Sequence, residues 1–202
     1  MRALLFIAAL GAPAGAEVLT MRQVDATNMH MADQRGARNW REDMTVTVNL
    51  GAKGRVSVAS KGMRRDHAMD VFDGRSYNTD ETTTWTTSWK GTWKTVKGSL
   101  VMDLVLVKDA CSAELDEQGT KTRKTCKGAR KSAVMRCTTT TVDVGVKKEK
   151  VAAWQCATDD ARDLGESPTT WWLGTGRCIE VHAGRMSSMS FGPCVTRESD
   201  KP

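Results

Sequence analysis

Four groups of residues have types and spacings that bear on chemistry. The first is a row of tryptophans, Trp85, Trp89 and Trp93, standing on every fourth residue among Thr and Ser. At that interval the indoles of one strand stand about 13 Å apart. Exposed in a line, they would form a stacking platform for a polysaccharide. Turned inward, they would fill a core, since burying an indole removes a large apolar area from water. The second group is histidine among methionines. Met29, His30 and Met31 are consecutive, His67 lies near Met63 and Met69, and His182 near Met186 and Met189. Thioethers with imidazole suit Cu(I), a soft ion that an exported protein can meet. Methionine as a filler of irregular core gaps explains the same proximity without a metal. The third group, Asp70, Asp73, Asn78, Asp80 and Glu81, gathers hard oxygen ligands of the kind calcium takes. Its spacing matches no EF-hand and reads as a solvated turn.

The fourth group is six cysteines, Cys111, Cys126, Cys137, Cys156, Cys178 and Cys194, all in the second half of the chain. Zinc sites need cysteines separated by two to four residues, and no such spacing occurs. An even number in an exported chain reads as disulfides, with about fifteen connectivities open. Nearest-neighbour pairing, Cys111–Cys126, Cys137–Cys156 and Cys178–Cys194, is favoured because each bond then closes one hairpin or loop. A loop of about 15 residues gives roughly 3 kcal/mol in the chain-entropy account.

Catalytic motifs are missing. There is no Gly-x-Ser-x-Gly elbow, His-Glu-x-x-His helix or P-loop. Asp66 and His67 are adjacent, and successive residues of a strand point to opposite faces, so they form no dyad. The chain reads as a binding or interaction protein needing no cofactor. A secreted hydrolase whose groups assemble only in space ranks last.

The export expectation comes from the start of the chain. Met1-Arg2 is followed by an apolar run, Ala3 to Leu10, too short to span a bilayer, and then by Ala14-Gly15-Ala16. This is the form of a signal peptide cleaved after Ala16, giving residues 1–16 as signal and 17–202 as one β-rich domain. Within it, 17–108 lacks cysteine and 109–202 carries the disulfides. Glu17 is not the cysteine that lipid attachment requires. The expected product is soluble and monomeric, secreted or periplasmic, with no membrane span. Without Arg2, 29 basic residues face 24 acidic ones, a net charge of +5. That balance is too modest for nucleic-acid binding, which export also disfavours. The basic run Lys121, Arg123, Lys124, Lys127, Arg130 and Lys131 could still meet an anionic cell-envelope polymer, although most such runs are solvated loops.

The elements that must position these residues are strands. Met44, Val46, Val48 and Leu50 alternate with polar residues, turn at Gly51–Gly54, and return through Val56 and Val58. The tryptophan strand turns at Val96-Lys97-Gly98-Ser99 into Leu100, Met102, Leu104 and Leu106, with Val101, Val105 and Val107 opposite, so this strand is expected to be buried on both faces. Residues 17–43 are weakly patterned, 63–80 polar and turn-rich around Asp73-Gly74, and 109–132 polar and loop-like. Strands are expected again within 133–146, 151–156, 169–173, 178–182 and 189–191. Eight to ten short strands at hairpin spacing predict an all-β fold, an antiparallel meander closing into a barrel or sandwich, with its C-terminal half stapled by disulfides.

Gly91-Thr92-Trp93 resembles the Gly-x-Trp signature of lipocalin-like barrels, in which the tryptophan closes the barrel floor. The resemblance implies a small apolar ligand held inside, lined by Leu100, Met102, Leu104 and Leu106 with the tryptophans. A packed core without a cavity, and a protein partner docked outside, are the readings set against it.

Overall fold

The computed structural model describes residues 16–30, 36–126, 128, 129, 131–158, 170–183 and 189–194. Eleven strands run in chain order: β1 (Glu17–His30), β2 (Gly36–Leu50), β3 (Arg55–Phe72), β4 (Arg75–Val96), β5 (Ser99–Glu117), β6 (Thr120–Lys124), β7 (Ser132–Val144), β8 (Glu149–Thr158), β9 (Thr170–Thr175), β10 (Cys178–Ala183) and β11 (Met189–Pro193). One turn of 3-10 helix, Ala52–Gly54, is the sole helical element among the described residues. The turns follow local chemistry. Asp73-Gly74, Lys97-Gly98 and Gln118-Gly119 each place two consecutive residues at positive φ. That backbone matches the right-handed twist of the strands it joins, and glycine at its second position adopts it without steric penalty.

The fold is a barrel. Antiparallel pairing runs β1-β2-β3-β4-β5, passes from β5 to β7 through Leu100↔Cys137 to Val105↔Ser132, and continues to β8 and β9. Leu19↔Thr175 then returns β9 to β1, closing eight strands. Followed round this circuit, the registers come back to β5 displaced by about ten residues, the stagger that tilts strands in a closed barrel. A second circuit branches from the first. β10 runs parallel to β1 from Thr20↔Cys178 to Asp25↔Ala183, pairs with β11, and reaches β7 through Phe191↔Val144.

Side-chain alternation divides the molecule into two cores. Leu19, Met21, Val46, Val48, Leu50, Val58, Leu100, Met102, Met135 and Leu173 point inward and are among the residues filling the barrel. Val142, Val151, Ala153, Ile179 and Val181 form a smaller cluster, with Trp172 and Phe191 edge-on against each other at 5.9 Å beside it. Strand β8 serves both cores: Trp154 and Cys156 face one, Val151 and Ala153 the other.

All three disulfides form as the spacing suggested. Cys137 and Cys156 are directly opposed across β7 and β8 inside the barrel, and both are fully buried. Cys111–Cys126 ties the segment after β6 to β5, and Cys178–Cys194 closes the β10–β11 hairpin.

Several expectations are corrected. The polar stretch 63–80 is strand on both sides of its turn, paired without interruption from Met63↔Thr84 to Phe72↔Arg75. Residues 17–30 and 36–43 are likewise paired strand, and β5 and β6 occupy most of 109–124. Charge hid these strands: Glu42↔Arg64 and Asp116↔Lys121 face each other with opposite sign, and the like-charged pair Asp66↔Glu81 is offset by Arg38 and Lys124 beside it, so the pleat is not interrupted. Strand β5 is buried on both faces only at its start: Val101 is buried beside Leu100 and Met102, whereas Val105 and Val107 are 61% and 56% exposed. A bulge lies here, for Ser88 pairs with Lys108 and Trp89 with Leu106, leaving Val107 as the extra residue. Beyond it the phase reverses, so Asp109, Cys111, Ala113 and Leu115 continue the inner face begun by Leu100, Met102, Leu104 and Leu106.

Candidate ligand-binding site

The barrel interior and the sheet that continues from it form one surface of changing chemistry. At one end the wall is closed by Trp93, whose indole Nε1 donates to the Gly51 carbonyl at 3.1 Å. This joins the end of β4 to the turn between β2 and β3. Close by, Gly91 lies against β5 so tightly that a Cβ there would stand 1.8 Å from the Asp103 carbonyl oxygen. Of the Gly91-Thr92-Trp93 triplet, the glycine thus serves close strand approach and the tryptophan an end-closing hydrogen bond. The triplet sits on the fourth strand, whereas the family it resembles carries it on the first.

Above this end the interior is apolar. Leu100, Met102 and Leu104 are buried and Leu106 is half-buried. Trp85 and Trp89 are 5% and 6% exposed, so their indole faces lie inside the barrel and do not form a surface row. Trp85 covers Gly62 on β3, its cross-strand partner, where a Cβ would meet the ring at 2.3 Å. Thus Trp85, Trp89, Leu100, Met102, Leu104 and Leu106 share one interior, with Trp93 packed against its edge. Trp154 and Trp171, which spacing alone did not select, join the same core from β8 and β9.

At the other end β1 to β5, 14 to 22 residues long, outrun β7 to β9, which have 13, 10 and 6. The wall flares into a sheet of β1 to β6 whose inner face becomes ionic. Arg38 donates to both carboxylate oxygens of Asp66 at 2.9 and 2.5 Å. Arg64 lies 3.6 Å from Asp66 and 4.0 Å from Glu42, with its guanidinium 4.9 Å over the Trp40 ring. Lys124 of β6 reaches across to Glu81 of β4 at 2.6 Å. The hydrogen bonds from Arg38 hold the Asp66 carboxyl below the ordinary carboxylate value, against the opposing pull of partial burial, and Arg64 adds to the lowering. Asp66 in turn raises Arg38 above its ordinary value. No local motif announces this cluster. Arg38, Glu42, Arg64 and Asp66 are 2 to 28 residues apart in sequence and meet through the β2–β3 register, and Glu81 and Lys124, 43 apart, meet across β4 to β6.

A strap crosses the rim between β6 and β7. Cys126 bonds to Cys111, the Ala129 amide donates to Asp109 at 2.9 Å, and the Leu106 amide donates to the Lys131 carbonyl at 2.9 Å. The phase reversal at Val107 is what points Asp109 and Cys111 inward to hold it.

The remaining candidates do not gather here. Asp66 and His67 face opposite sides, the first in the ionic cluster and the second with Nδ1 2.7 Å from Asp80 on the outer face. Of the oxygen ligands, Asp70 lies on β3, Asp73 in the turn, and Asn78, Asp80 and Glu81 on β4, so they do not share a loop. Among the described residues no three His, Cys, Asp or Glu side chains are placed to hold a metal ion. The backbones of Met29 and His30 belong to β1, but their side chains and the whole of Met31 lie outside the described residues. Of the basic run, Lys121 is ion-paired with Glu114 at 3.0 Å and Lys124 with Glu81. Lys127 and Arg130 lie outside the described residues. No described helix is long and apolar enough to cross a membrane. No protein-family model, no characterised protein and no solved structure matches this chain.

Proposed function

We propose that this is an exported binding protein that admits a small amphiphilic ligand through the flared end of its barrel. The observation that carries the reading is the continuous inner face of β2, β3 and β4. It runs from Leu50, Val58 and Trp89, all buried, to Arg38, Asp66 and Glu81 without leaving the pleat. An amphiphile laid along that face has its apolar part against Trp85 and Trp89 and its polar part among paired charges. Polar groups at the mouth fix orientation, and apolar side chains supply contact area, the usual division of labour in a ligand site. An eight-stranded barrel is wide enough either to be filled by its own side chains or to hold one small ligand.

Export is part of the proposal. Strand β1 begins at Glu17, so cleavage after Ala16 leaves every β1 residue in place. Three disulfides suit an oxidising compartment. A second reading, docking of a protein partner, draws support from the β3–β4 hairpin tip, where Phe72 is 75% exposed.

The test uses residues 17–202 exported into an oxidising compartment. Native mass spectrometry should show three disulfides and one chain per particle. Titration with anilinonaphthalene sulfonate, an apolar ring system carrying an anionic group, should saturate at one site per chain and quench tryptophan emission. Absence of saturable binding would sink the small-ligand reading and turn attention to the hairpin tip.

A further inference from the structure

We infer that the ligand of the barrel carries neutral oxygen acceptors, of the ketone, ester or quinone class, which take hydrogen bonds from the indoles of Trp89, Trp154 and Trp171. The inference rests on the binding reading above and names the chemistry of its ligand. The Nε1 atoms of these three tryptophans are buried, and none has a hydrogen-bond partner among the described residues. Their side chains are 6%, 3% and 5% exposed. Buried donors in folded proteins are almost always paired, and leaving one unmade costs its full desolvation. Three in one core call for an acceptor. Trp93 shows the ordinary solution in the same molecule, because its Nε1 reaches the Gly51 carbonyl.

The three donors stand on two walls of the barrel. Trp154 pairs with Leu173 and Trp171 with Cys156, which makes the two tryptophans diagonal neighbours on one wall, within reach of each other's rings. Trp89 stands on β4, four places from β9 in the eight-strand circuit and therefore on the facing wall. All three belong to one buried cluster.

The chemistry narrows the class. An indole N–H donates and cannot accept, so these three atoms offer nothing to an ammonium group. The buried residues of this core are apolar save for hydroxyls such as Ser60, Thr83 and Thr87, with no buried charge to balance an anion. A neutral carbonyl satisfies the donors without importing charge. A site of this kind rejects an isosteric ligand that lacks the acceptor, because the donors are then left unmade.

Matched pairs differing only in the carbonyl provide the test: acetophenone against ethylbenzene, and benzophenone against diphenylmethane, each titrated calorimetrically into residues 17–202. The ketone of at least one pair should bind tenfold or more tightly than its hydrocarbon. In ¹H–¹⁵N spectra of wild-type protein, three of the seven indole signals should move downfield with the ketone and stay in place with the hydrocarbon. Trp89→Phe, Trp154→Phe and Trp171→Phe keep an aromatic ring and remove the donor. Each should lower the ketone preference by threefold or more and delete one moving signal. Equal binding of ketone and hydrocarbon, or indole signals that ignore the ketone and contact bound water, would overturn the inference and leave the binding reading standing. Binding of neither class overturns the inference alone where anilinonaphthalene sulfonate still saturates one site, and both readings where it does not.

Discussion

Strands β2 to β5 are held together in two ways along their length. Toward Trp93 they meet through buried apolar side chains, a glycine that lets two backbones touch, and a fully buried disulfide nearby. Toward the flare the same strands meet through ion pairs, a cation over an indole and partly wet carboxylates. Packing contacts are numerous, short-ranged and intolerant of volume change, whereas half-exposed charge pairs are screened and individually weak. One end is therefore expected to carry most of the stability, and the other is free to vary its chemistry.

Substitutions at the two ends should show that contrast. Replacing Cys137 and Cys156 together by Ala removes a buried cross-strand bond and should cost about 3–5 kcal/mol in denaturant unfolding. The Cys111→Ala and Cys126→Ala pair at the rim should cost less, about 2–3 kcal/mol, because both residues are only half-buried. Equal losses would mean that loop entropy alone governs both bonds. Gly91→Ala forces a Cβ into the Asp103 carbonyl, where only backbone can yield, and should cost about 3 kcal/mol or more. Trp93→Phe deletes one hydrogen bond at the closed end and should cost about 1 kcal/mol beyond any change in packing.

The smallest effect is expected at the flare. Asp66→Asn should destabilise by about 1 kcal/mol at neutral pH, since Arg38 is half exposed and screened. The sign of its pH dependence follows from the lowered Asp66 value. A carboxyl that ionises more easily in the folded chain contributes above its unfolded value near 3.8, and that contribution fades as pH falls through the folded value. Wild type and Asp66→Asn should therefore converge in acid. A gap that widened on acidification would contradict the ion-pair account.

Legibility differed between the same two regions. Met44 to Val58 announced its inner face because apolar and polar residues alternate and Gly marks the turn, and Leu100 to Leu106 was legible as strand because its apolar residues are bounded by the turn at Lys97-Gly98. Residues 36–43 and 63–80 gave no such signal. Their inner-face residues, Arg38, Glu42, Arg64 and Asp66, are polar on a face that is apolar further down the strand. Pattern reading takes polarity for exposure, and it fails where charges are satisfied by partners brought from another strand. The bulge at Val107 was equally silent, since Val105 and Val107 continue the alternation by residue type while the backbone breaks it. The disulfides were legible because sequence separations of 15, 19 and 16 residues each fit one hairpin or loop.

By itself the sequence determined local matters: an all-β chain, its tightest turns, the nearest-neighbour cysteine pairing and the alternating apolar faces of the central strands. Each depends on residues close together in the chain, where spacing and steric preference act directly. Only the tertiary structure decided that the sheet closes through Leu19↔Thr175, that the tryptophans face inward, and that Arg38, Arg64 and Asp66 meet. Those outcomes depend on the stagger between strands distant in sequence, which is fixed by the joint packing of the whole inner face and by no single stretch of it.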